Sequence, residues 1–88
     1  MRAHALSREQ TDAVHEVMQL FVEDDLAHGV SHTERRLCPH CRHRRRAAGF
    51  IVYGATALCN GCATAFELAR LRHVSTPVVE FVARAWPA

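Results

Sequence analysis

The sequence predicts a small α+β domain. Three observations carry that prediction: an amphipathic run in the N-terminal third, a short strand-turn-strand pattern over residues 50–58, and two Cys-x-x-Cys pairs that bracket this pattern. The pairs are Cys38-Pro39-His40-Cys41 and Cys59-Asn60-Gly61-Cys62, separated by the seventeen residues 42–58. Two loop-borne dithiols at that separation can set four thiolates tetrahedrally around one Zn²⁺. Cys38, Cys41, Cys59 and Cys62 are therefore the expected ligands of one structural zinc per chain. Residues 1–88 read as one zinc-stabilised domain, with a helix over 7–28, a finger over 34–73 and a last helix over 76–86.

The elements follow in order. Ser7 followed by Gln10 fits a capping box, and from Arg8 to about Ala27 Val14, Val17, Met18 and Phe21 recur at helical spacing before Gly29 ends the run. The expected wet face carries Glu9, Asp12, Glu16 and Glu23, while Leu20, Val22 and Leu26 widen the apolar stripe beyond what a small finger covers. Residues 29–36 read as a connection into the first knuckle, where Pro39 presets φ for the turn. Residues 50–53 read as a strand, Gly54-Ala55 as a turn and 56–58 as the return strand. Asn60-Gly61 supplies turn geometry in the second pair, after which 63–71 continue as a helix whose positive end favours the thiolates. Thr76 and Pro77 open the last helix, with Val78, Val79, Val82 and Trp86 on its apolar side and Glu80 and Arg84 paired at i,i+4. Knuckle, hairpin and ligand-bearing helix is the order of a treble-clef finger.

Other uses of four cysteines fit less well. A disulfide framework belongs to oxidising compartments, and residues 1–7 have no apolar stretch resembling a signal peptide. A redox dithiol needs one reactive pair beside a βαβ pattern. Iron-sulfur spacings commonly place three cysteines in one run. A chain of 88 residues buries only roughly 60% of its extended surface, so a metal staple is expected on stability grounds as well. Structural zinc contributes on the order of 10 kcal/mol, which counts as folding energy. No run approaches a membrane span, and the expectation is a soluble, cytoplasmic protein that takes no small-molecule substrate.

Charge divides the chain in two. Residues 1–34 carry two arginines against seven acidic side chains, a net of −5; residues 35–88 carry nine arginines against Glu67 and Glu80, a net of +7. Every basic residue is arginine, a bias that guanine- and cytosine-rich codons also produce, and arginine is always charged and grips phosphate or carboxylate with a planar fork. Arg35 and Arg36 just before the first knuckle, and Arg42, Arg44, Arg45 and Arg46 just after it, are the strongest candidates for contact with nucleic acid or an acidic partner surface. A solvated charge run, partly neutralised by the acidic first helix, is the plainer reading of the same residues.

Catalysis is not expected. Four thiolates close the zinc coordination sphere against water or substrate. A zinc deaminase would need a ligand His two residues before its Glu and a Pro directly before the Cys pair, which His15-Glu16 and Leu37-Cys38 do not supply. No Gly-rich phosphate loop or nucleophile elbow occurs. His32, His40 and His43 lie near the cysteines in sequence, but four thiolates already suffice as ligands.

The cysteine separation, the hairpin ending in Thr56-Ala57-Leu58-Cys59, the pair opening a helix and the acidic helix upstream resemble the DksA/TraR zinc-finger family over residues 34–73. That resemblance implies a regulator that binds RNA polymerase through acidic residues on a helical arm. The chain departs from it in offering Glu23-Asp24-Asp25-Leu26-Ala27 where the family has an Asp-x-x-Asp-x-Ala tip. The finger is also similar to the zinc-binding domain of the ClpX unfoldase, which implies a homodimer that recruits adaptors and substrates. Here the gap is one residue shorter, and Gly54-Ala55 stands where that family has Gly-Pro. Both resemblances imply a zinc-built platform for a protein or nucleic-acid partner.

Overall fold

The computed structural model describes residues 6–72, so the expected helix over 76–86 lies outside the described residues. In chain order the elements are α1 (Arg8–Ala27), β1 (Arg35–Leu37), β2 (Arg44–Arg46), β3 (Ile51–Tyr53), β4 (Thr56–Leu58) and α2 (Asn60–Leu71). The strands form two separate antiparallel pairs, β1 with β2 and β3 with β4.

α1 begins and ends as its sequence dictates. The Ser7 side chain accepts from the Gln10 amide at 3.1 Å while Gln10 Oε1 accepts from the Ser7 amide at 2.9 Å, completing the capping box. At the other end the Gly29 amide donates to the Leu26 carbonyl and the Val30 amide to the Asp25 carbonyl, with Gly29 at φ +103°. This is the Schellman pattern, in which a left-handed glycine satisfies carbonyls that the helix leaves open.

The buried face of α1 differs from the expected one. Met18 and Val22 are buried and Val14 is half-buried, whereas Val17 and Phe21 are 49% and 44% exposed and stand with Leu20 on the solvent side. The seam therefore runs at strict i,i+4 spacing. Val22 wins a core place because Gly49 offers no side chain opposite it: a Cβ built on Gly49 would lie 2.4 Å from Val22 Cγ2. A helix projection alone does not contain that contact.

The segment expected as a plain connection before the first knuckle contains β1. It pairs with β2 in the register Arg35↔Arg46, Arg36↔Arg45 and Leu37↔Arg44, so the knuckle is the loop of a hairpin. Three residues rich in arginine carry no alternation that would announce a strand. Hydrogen bonds of the loop organise it instead: the Arg42 amide donates to the Cys38 carbonyl at 2.8 Å and the Cys38 amide to the His43 carbonyl at 3.0 Å.

The second hairpin matches expectation. Tyr53 pairs with Thr56 across the two-residue turn Gly54-Ala55, and Gly54 takes φ +62°, as a primed hairpin turn demands at its first position. α2 starts three residues earlier than expected, because Asn60 and Gly61 form its first turn with Cys59 as N-cap. Met18 from α1, Leu58 from β4, Ala63 and Phe66 from α2 and the cysteines Cys38, Cys59 and Cys62 share one core cluster. Tyr53 closes its edge, packing edge-on against Phe66 at 4.9 Å between ring centroids and donating its hydroxyl to Glu67.

Candidate metal centre

The two cysteine pairs converge. Cys38 and Cys41 come from the loop between β1 and β2, Cys59 caps α2, and Cys62 lies in that helix's first turn. One sulfur from each lies within 4.8 Å of the other three, and none of the four forms a disulfide. A tetrahedron of thiolates at about 2.3 Å from a metal has sulfur-sulfur edges of about 3.8 Å, so a small inward adjustment accommodates an ion. Four soft sulfur donors at such spacing suit zinc and exclude hard oxygen-seeking cations. The expected ligand set is thus brought together in full.

Groups around the sulfurs arrange them. The Cys59 amide donates to Cys38 Sγ at 3.4 Å, and the N-terminal end of α2 points its unsatisfied amides toward the pair it carries. His40 lies inside the first knuckle, is buried, and sets Nδ1 3.1 Å from Cys62 Sγ. Burial lowers the His40 pKa, favouring a neutral ring whose Nδ1–H can donate to a thiolate. His40 is thus a supporting residue of the centre. Its position between two cysteines was the only sequence signal for that role.

The four thiols are not equivalent. Burial pushes Cys59 above its ordinary range. Burial also acts upward on Cys41, but hydrogen bonds from the Arg45 guanidinium, the His43 backbone and the Cys38 and His43 side chains outweigh it and bring Cys41 down to about 6. Cys41 is also the least buried of the four. A guanidinium beside the most solvent-near sulfur partly offsets the excess negative charge that four thiolates bring to a divalent ion.

The six arginines proposed from sequence separate into distinct positions. Arg35, Arg36, Arg44, Arg45 and Arg46 lie on the paired strands β1 and β2, all exposed, and Arg42 sits at the knuckle with φ +61°. Arg36 places its guanidinium 5.1 Å above the Phe50 ring, and Arg45 faces Cys41. The arginines are thus mounted on the hairpin that supplies two of the four sulfurs. Of the three histidines near the cysteines, His40 bonds Cys62 Sγ and His43 bonds Cys41, while His32 stands exposed on the approach to β1.

A polar clasp that sequence reasoning missed ties α1 to the centre. Asn60 Nδ2 donates to the Met18 carbonyl at 3.0 Å and to the Gly49 carbonyl at 3.1 Å, while the Gly49 amide donates to Asp25 at 2.7 Å. Asp25 is therefore engaged in the fold and is not a free acidic tip on a helical arm. No known family matches the chain, and no curated protein or solved structure matches it.

Proposed function

We infer that this chain is a non-enzymatic zinc finger of treble-clef order, acting as a regulatory or adaptor protein that presents its arginine-bearing hairpin to nucleic acid or the transcription machinery. One observation carries the reading: the convergent sulfurs of Cys38, Cys41, Cys59 and Cys62 lie at the turn of the hairpin that holds five exposed arginines. A metal there rigidifies the hairpin, so the guanidinium groups are ordered before a partner arrives, and less side-chain and loop entropy is lost on binding. Closed four-sulfur coordination leaves the ion no open position for chemistry. Thiolate ligands suit a reducing compartment, in keeping with a cytoplasmic protein.

Elemental analysis of protein purified under reducing conditions is expected to return one zinc per chain, with Cys59→Ser reducing it. Metal-free protein that keeps its fold and is indifferent to chelator would overturn the reading.

The exposed stripe Val17, Leu20 and Phe21 on α1 favours a second reading, a protein-interaction or homodimerisation module like the zinc-binding domain of the ClpX unfoldase. Sedimentation equilibrium at micromolar concentration should then show a dimer that Leu20→Glu dissociates; a monomer throughout would remove self-association.

A further inference from the structure

We propose that the outward face of the β1–β2 hairpin binds the phosphates of a nucleic-acid backbone through Arg35, Arg44 and Arg46, whereas Arg36 and Arg45 serve the protein's own packing. The proposal deepens the reading of the chain as an arginine-displaying finger, and rests on it.

Strand geometry makes the division. Arg36 and Arg45 are directly opposed, hence on one face of the ribbon, and both turn to the body: Arg36 over Phe50 and Arg45 onto Cys41. Arg35, Arg46, Leu37 and Arg44 consequently occupy the other face. There Arg35 stands directly across from Arg46, with backbones about 5 Å apart, and Arg44 follows Arg46 at about 7 Å along the strand. Like charges directly opposite destabilise a hairpin. None of the ion pairs among the described residues relieves these three arginines. An external row of anions would.

Leu37 favours nucleic acid over an acidic protein surface. It lies opposite Arg44 on the same face and is 62% exposed, an apolar spot ringed by guanidinium groups. Sugars and base edges present apolar surface beside phosphates, including the thymine methyl, and a two-stranded ribbon fits the major groove. The acidic face of α1, with Glu9, Asp12, Glu16 and Glu23 exposed, repels a polyanion and confines contact to the ribbon.

The test is fluorescence anisotropy of zinc-loaded full chain with labelled duplex DNA, single-stranded DNA and RNA, zinc content being measured on the same samples. Three phosphate contacts predict a duplex salt slope of about −2.7, roughly a 40-fold loss of affinity between about 50 and 200 mM salt, and a loss of about 20-fold on single strands. The triple variant Arg35→Gln, Arg44→Gln, Arg46→Gln should abolish the salt-dependent binding, and Arg44→Gln alone should flatten the duplex slope by about 0.9. Arg36→Gln should leave the slope unchanged.

Equal loss from Arg36→Gln would overturn the assignment of faces. Zinc-loaded wild type that binds no nucleic acid at low salt, or that binds poly-glutamate alone, would overturn the proposal while leaving the metal-built finger intact. A zinc-free sample would instead sink the reading beneath it.

Discussion

Gly49 shows how much one position can decide. It holds φ +92°, and a Cβ there would meet Val22 Cγ2 at 2.4 Å and Asn60 Nδ2 at 3.0 Å. Gly49→Ala combines left-handed strain with overpacking and is expected to cost on the order of 3 kcal/mol, measured by denaturant unfolding of the metal-loaded protein. His28 works through charge. It caps α1, where its Nδ1 reaches the Asp24 carbonyl at 2.8 Å and the Asp24 carboxylate at 3.3 Å, and these contacts, the carbonyl first, raise its pKa. The folded value exceeds the unfolded one, so the stabilisation is complete below about pH 6.5 and is lost as pH rises through the folded pKa. Amide protection at the end of α1, taken relative to the base-catalysed intrinsic exchange rate, should therefore fall across that window, and His28→Gln should remove that fall. Neither residue announces these roles in sequence. Gly49 follows two alanines like any loop glycine, and the histidine before Gly29 has no visible partner until the helix end is built.

Among elements, one polar side chain clasps α1 to the finger helix beside the apolar core that they share. Asn60 spans the Met18 and Gly49 carbonyls, and no other residue type offers two amide donors at that length and position. Asn60→Ala strips both part-buried carbonyls of a donor and should cost about 1–3 kcal/mol, with α1 amides losing exchange protection before those of α2. α1, the second hairpin and α2 were legible because their signals are local: a capping box, a glycine turn and a cysteine pair at a helix start. β1 was not legible, since its pairing with β2 arises from knuckle hydrogen bonds and from no apolar alternation. The same limit explains α1's rotation, which is set by Gly49 from a distant loop. The cysteine ligand set was fully legible, whereas the division of the arginines required the register.

For the whole molecule, the core cluster is small and three of its buried members are cysteines. A core so built is expected to depend on an ion held by the four sulfurs. Chelator added to the reduced protein is expected to abolish the tertiary near-ultraviolet signal of Tyr53, with zinc restoring it, because metal-binding energy serves here as folding energy. Charge is polarised on the same scale: an acidic first helix is followed by the arginine hairpin. No helix among the described residues is long and apolar enough to cross a membrane.

The two cysteine pairs fall on opposite sides of the exposed Gly54-Ala55 turn. A protease nick there would yield two fragments, each retaining two sulfurs, that still migrate as one particle by native mass spectrometry. They should part when the metal is withdrawn, an ion held by the four sulfurs then acting as a removable rivet between two halves of a polypeptide.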